Sequence, residues 1–512
     1  MPAKAPKTAR HLEVERKFDV VESTVSPSFE GIAAVARVET SPTQELDAVY
    51  FDTATQDLAR NRITLRRRTG GHDAGWHLKL PAGADARTEV HAPIDASDDA
   101  ETVPTELLDV VLAIVRDRPV EPVARITTQR ETQVLYDSEG TALVEFCNDH
   151  VTAWSAANGS DEQRWREWEL EVLDTDTDKK QTAGRELLDR LSNRLLDAGA
   201  SPAGHGSKLS RVLDSADPTG QTATTPPPAD PVHRAVAQQV EELLVWDRAV
   251  RADAEDSVHQ MRVTIRKIRS LLKDSQDLFG LADDAWVLDE LRELAGILGV
   301  ARDAEVLAER YERRLGELAP ELVRGPVTER LVNGARRRYQ LGLRRSLAAM
   351  RSKRYFRLLD ELDAMVAEPP VTALGQKPRP VTIDAAYKRV RKATKAFRAA
   401  EAAEAAHADD ADESLHVIRK RAKRLRYTAA ATGADRVAKH AKAIQSLLGD
   451  HQDSVVSREH LLAQAQSAHL AGEDTFTYGL LYQQESEIGE QSREQLDALL
   501  RKLDKAVHKS RR

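Results

Sequence analysis

Polar and apolar residues alternate through Glu13-Val14-Glu15-Arg16-Lys17-Phe18, close to the start of the chain. Strand side chains point to opposite faces in turn, so Glu13, Glu15 and Lys17 share one face and Val14 and Phe18 the other. Taken alone, this is a strand with one wetted face, an ordinary element of antiparallel sheets. The segment belongs to a predicted strand over 12–20, and similar segments punctuated by Gly, Pro, Asn and Asp follow at 45–52, 62–69, 75–81, 87–94, 125–136, 141–152 and 164–173. Eight strands suggest a sheet that closes on itself. Helical periodicity interrupts them at 104–116 and 179–198, the second with Leu187, Leu188, Leu191 and Leu195 on one face. The first part of the chain therefore reads as α+β.

A Pro/Thr-rich stretch over 216–231 lacks periodic apolar residues and reads as a linker. Beyond it the chain turns to long helices rich in Ala, Leu, Arg and Glu, an all-α pattern that repeats itself. His259, Arg262, Arg266 and Arg269 recur at the same spacing as His416, Arg419, Lys423 and Arg426, each set on one helical face. Leu298-Gly299 with Arg302-Asp303 is echoed by Leu448-Gly449 with Gln452-Asp453 on each following helix. Two related helical bundles are expected, at about 232–366 and 381–512.

A length of 512 residues exceeds one typical core and fits two or three domains. With 41% hydrophobic and 31% charged residues, the chain is globular and rich in surface charge. The first ten residues carry three cations without an apolar run behind them, unlike a secretion signal, and no stretch is apolar enough to span a membrane. Cys147 is the single cysteine, so a reducing cytoplasm is the expected compartment. The net charge of −8 hides an asymmetry: residues 1–229 carry −13 and the remainder +5. Two different ways of handling a charged partner follow from that division.

Sign is also sorted by strand. Arg66 and Arg68, Lys79, and Arg125 and Arg130 make basic strands, whereas Glu145 with Asp149, and Glu167 with Glu169 and Glu171, make acidic ones. Solvated faces would mix the signs along each strand. A closed barrel with these faces inward carries a heavy desolvation cost unless cations sit among the carboxylates and a polyanion among the Arg and Lys side chains.

Glu13-Val14-Glu15-Arg16-Lys17 resembles the E-x-E-x-K signature of the CYTH superfamily, the triphosphate tunnel metalloenzymes. The resemblance covers about 8–215 and extends to Tyr50-Phe51-Asp52-Thr53, the Leu65–Arg68 strand, Trp76 to Pro81, Arg130, Asp149, Glu169-Leu170-Glu171 and Lys208 to Arg211. It implies an α+β domain with a closed antiparallel eight-stranded β tunnel that hydrolyses inorganic triphosphate. It also implies Glu13, Glu15, Asp149, Glu169 and Glu171 as ligands of Mg²⁺ or Mn²⁺, and Lys17, Arg66, Arg68, Lys79, Arg130 and Lys208 as phosphate contacts, with Glu13, Glu15 and Lys17 as the catalytic set. Glu145, Glu167 and Arg87 share the inward parity and read equally as tunnel or rim. The Asn148-Asp149-His150-Val151 run lacks the glycine often found at the following turn in the family. The same tunnel in this family also accommodates ATP for adenylate cyclase activity, and a binding protein that senses phosphate chains without turnover is the non-enzymatic alternative.

The repeated rows at His259 and His416 resemble the CHAD domain, a helical module associated with inorganic polyphosphate. The match covers about 232–512, an all-α domain of two pseudo-repeated helical bundles, and implies His259, Arg262, Arg266, Arg269, His416, Arg419, Lys423 and Arg426 as contacts to long-chain polyphosphate. Cationic helix faces also bind nucleic acid backbones, but Tyr387, Phe397 and Tyr427 are too scattered for a base-stacking platform. The pattern leaves chain length, metal identity and oligomeric state open.

Overall fold

A computed structural model describes residues 9–83, 85–94, 102–155, 162–173, 178–216, 230–282, 285–367, 383–402 and 408–510. Most of the linker expected at 216–231 lies outside them. The elements run β1 (Ala9–Val20), β2 (Arg37–Thr40), β3 (Gln44–Asp52), α1 (Asp57–Arg60), β4 (Thr64–Thr69), β5 (Gly75–Pro81), β6 (Ala86–Ala92), α2 (Thr105–Val115), β7 (Glu121–Tyr136), β8 (Ala142–Ser155), β9 (Gln163–Val172), α3 (Asp178–Asp197), β10 (Ser201–Pro202) and α4 (Lys208–Ala216). Helices follow: α5 (Pro231–Arg251), α6 (Ser257–Asp274), α7 (Trp286–Glu317), α8 (Gly334–Met350), α9 (Lys353–Ala367), α10 (Ile383–Ala402), α11 (Ala408–Ala431), α12 (Asp435–Leu470) and α13 (Phe476–Ser510).

The sheet closes. Strand order is β1-β6-β5-β4-β3-β7-β8-β9 with β9 returning to β1, every pairing antiparallel, while β2 extends β7 and β10 extends β1. Closure removes the exposed edges an open sheet would present. The outer positions are apolar because helices cover them: Val14, Phe18, Phe146, Trp168 and Leu170 pack against Leu187, Leu188, Leu191 and Leu195 of α3. On the other side Leu65, Trp76, Leu78 and Val90 meet Leu107, Val111 and Ile114 of α2. β8 runs on to Ser155, so no turn follows Asp149 and none requires a glycine there.

Short α4, for which the alternation gave no signal, enters the barrel. Its Leu209, Val212 and Leu213 pack on Ala48, Tyr50, Ile126, Val151 and Ala153, positions that share the inward parity of Arg66, Arg130 and Asp149 through the strand register. The helix fills one end of the tunnel with apolar side chains and brings Lys208, its first residue, to the interior.

Two compact units emerge: residues up to 257 together with 350–368, and 258–349 together with 369–512. In the first, α5 and α9 belong with the barrel. Arg251 donates to Asp247 (2.6 Å) and to Asp109 of α2 (3.2 Å), and Tyr355 of α9 donates to Asp247 at 2.8 Å; Arg116 pairs with Asp360 and Asp363. In the second unit, α10 to α13 share one core of Val390, Leu415, Ile418, Leu425, Ile444, Leu448 and Leu503, and α7, α8, α12 and α13 share another around Tyr311 and Tyr478. Among the described residues no helix is long and apolar enough to cross a membrane.

Candidate functional site

The register of the barrel sets the chemistry of its interior. Glu15 of β1 stands directly opposite Glu171 of β9, which stands opposite Glu145 of β8, so one rung carries three carboxylates across three neighbouring strands. The next rung holds Lys17 and Glu169, and Arg130 faces Asp149, which faces Glu167. β4 lies four strands from β9 in either direction around the barrel, so Arg66 and Arg68 occupy the wall opposite the acids. Glu13, Glu15, Lys17, Arg66, Arg68, Lys79, Arg130, Glu169, Glu171 and Lys208 all border one cavity of about 400 Å³. Asp149, fully buried, stands behind it.

The two signs interleave instead of separating into layers. Lys17 donates to Glu15 (2.8 Å) and Glu169 (2.5 Å), and Lys79 approaches Glu13 at 2.6 Å. Arg130 grips Asp149 with two nitrogens (2.8 and 2.6 Å) and reaches Glu169 at 2.8 Å. Lys208 touches Asp149, Glu167 and Glu169 at 2.7 to 2.8 Å. Direct pairing offsets the desolvation that isolated buried charges would suffer. Arg66 instead bonds Tyr50 at 3.3 Å, and Arg68 pairs with Asp73 in the loop beyond its strand.

The five expected metal ligands do not converge on one point. Asp149 and Glu169 group with Glu167, and Glu13 groups with His11 and Glu89, in each case with ligand atoms within 4.8 Å. Arg130 and Lys208 thread the first group. Glu13, Glu15, Glu145 and Glu171 supply only carboxylate oxygen, a donor set suited to Mg²⁺ or Mn²⁺. Like charges opposite one another in a sheet are destabilising, and a divalent cation in their midst relieves that repulsion, so the residues fit the ion. Burial, reinforced by Glu13, Glu15 and Glu145, pushes the Glu171 carboxyl up to about 7. Burial also opposes the charge on Glu15, but Lys17 and Lys79 outweigh it and hold that carboxyl down to about 2.

Several tunnel residues escaped the sequence reading. Glu89 is buried on β6, with His77 Nδ1 2.5 Å away and His11 Nε2 3.3 Å away. The period-two run Arg87, Glu89, His91 was visible in the sequence, but only closure puts β6 beside β1. Arg87, whose parity reads equally as tunnel or rim, lies 3.6 Å from Glu15 and also reaches the carbonyl of Gly206. Other motif residues serve the frame. Asp52 caps α1 by accepting from the backbone N–H groups of Thr53, Leu58 and Ala59. Arg125 faces outward, where it pairs with Asp47, because an offset of five from Arg130 places it on the opposite face. Arg211 leaves the tunnel for Asp19 at 2.5 Å.

In the helical unit the two cationic rows face one another. Lys423 of α11 is acted on by Arg266 and Arg262 of α6 as well as by Arg419 and Arg426 of its own helix. The repeat extends to packing: Arg262 lies against Gly299 and Arg419 against Gly449, so the glycines give each guanidinium its room. Arg262 bonds Asp303 at 3.2 Å, and Asp453 lies near Arg419. Arg269 donates to the Leu288 carbonyl and Arg426 to Gln445. Burial and the cations Lys420 and Arg419 push His416 down; His259, partly buried, occupies the matching place on α6.

The family profile described as the CYTH domain matches residues 11–200, and that described as the CHAD domain matches 234–462. Proteins of two Mycobacterium tuberculosis strains, each named only as an uncharacterized protein, are 71% identical over 521 residues, covering 100% of both chains. Among solved structures, the CHAD domain of the plant Ricinus communis is 24% identical, over 53% of this chain and 90% of its own, with a TM-score of 0.38. A Hippeastrum protein described as a candidate adenylyl cyclase with a dominant triphosphatase activity is 16% identical, over 40% of this chain and 95% of its own, at a TM-score of 0.26.

Proposed function

Since the chain belongs to the CYTH family of triphosphate tunnel metalloenzymes and carries a CHAD domain behind the tunnel, we propose that it hydrolyses inorganic triphosphate in the tunnel and binds longer inorganic polyphosphate on the helical rows. The functional division is proposed to fall at the linker, with 8–215 as the hydrolytic part and 232–512 as the binding part. A cytoplasmic location accords with Cys147 as the single cysteine.

The observation that carries this reading is the opposition of Arg66 and Arg68 on β4 to the carboxylate rung Glu145, Glu171, Glu15 on the far wall. A triphosphate needs bidentate cationic partners on one side and a charge-neutralising metal site on the other. Mg²⁺ or Mn²⁺ on these carboxylates would neutralise phosphate charge and lower the pKa of a coordinated water. Arg66 and Arg68 hold phosphate oxygens with their planar donor forks. Lys17, Lys79, Arg130 and Lys208, already within the cavity wall, exchange carboxylate oxygens for phosphate oxygens as the substrate enters. A metal entering with the substrate would take over the carboxylates that these cations release, so that the buried charges stay compensated. Apolar α4 excludes water at its end of the tunnel and fixes Lys208.

The test is phosphate release from tripolyphosphate, ATP and long-chain polyphosphate with Mg²⁺ or Mn²⁺. Release from tripolyphosphate that disappears in the Glu13→Gln, Glu15→Gln double variant is expected. No release by the native chain, or equal release by the variant, overturns the hydrolytic reading and leaves phosphate-chain sensing; formation of cyclic AMP together with pyrophosphate from ATP would instead mark cyclase chemistry.

A further inference from the structure

Four described lysines have surroundings that shift them, and one stands apart. Lys17, Lys79 and Lys208 are buried against carboxylates, and although burial works against their charge, those carboxylates raise them above the ordinary lysine range. Lys423 has the opposite environment. It is half-buried on α11, one turn after Arg419 and one before Arg426, and it confronts Arg262 and Arg266 of α6. Its Nζ lies 5.9 Å from the centre of the Tyr427 ring, which also carries the Arg426 guanidinium at 5.5 Å. Asp303 is bonded to Arg262, Asp453 lies near Arg419, and Arg426 turns to Gln445. Burial and four neighbouring cations both disfavour an ammonium ion, and they push Lys423 down to about 8.

The same four arginines make a phosphate-binding cage around a lysine that spends much of its time as the free amine. We propose that Lys423 is an acylation site for acyl phosphates, the guanidinium groups of Arg262, Arg266, Arg419 and Arg426 holding the phosphate while Nζ attacks the adjoining carbonyl carbon. The nitrogen lone pair forms the N–C bond. The C–O bond to phosphate breaks and its electron pair leaves with inorganic phosphate, whose negative charge the arginines stabilise. The surplus proton on nitrogen passes to the departing phosphate. No oxidant, reductant or metal enters the step. The amide so formed is neutral, so a cation disappears from the centre of the two facing rows; only this consequence, weaker polyphosphate capture, rests on the binding reading above.

Acetyl phosphate supplied to the full-length protein at pH 8, with the modified lysines mapped by mass spectrometry, tests the step. Lys420, exposed on the same helix, is the internal reference. Acetylation of Lys423 on the order of tenfold ahead of Lys420 is expected, because the arginines would hold the acyl phosphate beside Lys423 Nζ. Arg266→Ala and Arg419→Ala should each slow it severalfold, and added inorganic phosphate should compete. Equal labelling of Lys423 and Lys420, or labelling indifferent to both arginine variants, overturns the proposal. Retardation of long-chain polyphosphate by unmodified protein is scored separately, so loss of that signal with selective acetylation intact would strike the binding reading alone.

Discussion

Glu15 and Glu171 face each other across the seam where the first and last strands of the barrel join, two partly buried carboxylates in direct register. With Glu145 beside Glu171, they form a like-charged row on the wall of the cavity. Removing one charge from it has opposite consequences with and without a metal. Glu171→Gln is expected to raise the melting temperature of metal-free protein by a few degrees, equivalent to ~1 kcal/mol of relieved repulsion. The upward shift expected of the native protein with Mn²⁺ should be lost in the variant. Thermal melts at fixed protein concentration, with and without Mn²⁺, check both halves.

Arg66 and Arg68 stand on the wall opposite that row, and neither is bonded to one of its carboxylates. Arg68→Ala is expected to lower kcat/KM for tripolyphosphate on the order of 100-fold, the loss of about 3 kcal/mol of charge-assisted bonding. Arg68→Lys keeps the charge but not the planar fork and should recover only part of it. Steady-state phosphate release measures the series.

Parity gives a sharper contrast within one strand. Lys17 bonds Glu15 and Glu169 inside the tunnel, whereas its neighbour Arg16 points outward to Asp189 at 2.7 Å, Asp85 and Ser192. Arg16→Ala should leave tripolyphosphate hydrolysis within about twofold and cost no more than ~1 kcal/mol of stability, as expected of a half-exposed ion pair. Lys17→Ala should reduce hydrolysis on the order of 100-fold. Parallel assays and urea titrations of the two variants compare them.

Polyphosphate capture on the helical rows, as proposed, is expected to depend on pH through Lys423. A bound polyanion favours the charged amine, so capture is strongest below about 8, where Lys423 is protonated in the free protein, and weakens as pH rises through that value. Lys423→Arg stays charged throughout and should flatten the dependence between pH 7 and 9. Retardation of long-chain polyphosphate at the two pH values, at constant ionic strength, is the measurement.

The buried trio Asp247, Arg251 and Tyr355 ties α5 and α9 into the first compact unit. Asp247 and Arg251 side chains are almost wholly buried, so Asp247→Ala leaves the guanidinium with Asp109 at 3.2 Å in place of its closer partner and should cost about 3 kcal/mol in urea unfolding. The Asp247→Leu, Arg251→Met pair, which removes both charges, should cost markedly less.

Much of the barrel was legible because strand alternation is a local property. The runs around Glu13, Arg66, Lys79 and Glu169 each announce their strand and its polar face, and the repeated spacing of Arg262 and Arg419 announces the helical rows. Glu89 and His77 were not legible as site residues, since their importance comes from the position of β6 beside β1 and of β5 beside β6. Nor does any local pattern show that α4 turns its leucines into the tunnel, because an amphipathic segment of nine residues carries no record of which surface it covers.

Sequence alone determined which side chains share a face, because parity follows from backbone geometry within a single strand. It also determined that the polar faces were sorted by sign, which turned the opening Glu13, Glu15 and Lys17 from a wetted face into a lining. Only the tertiary structure decided who meets whom. Closure aligned Glu15, Glu171 and Glu145 in one rung, set Arg66 and Arg68 opposite, and threaded Lys17, Arg130 and Lys208 among the carboxylates. Pairing of that kind depends on strand order and register between segments distant in the chain, where Coulomb attraction across a few ångströms, and not sequence spacing, selects the partner.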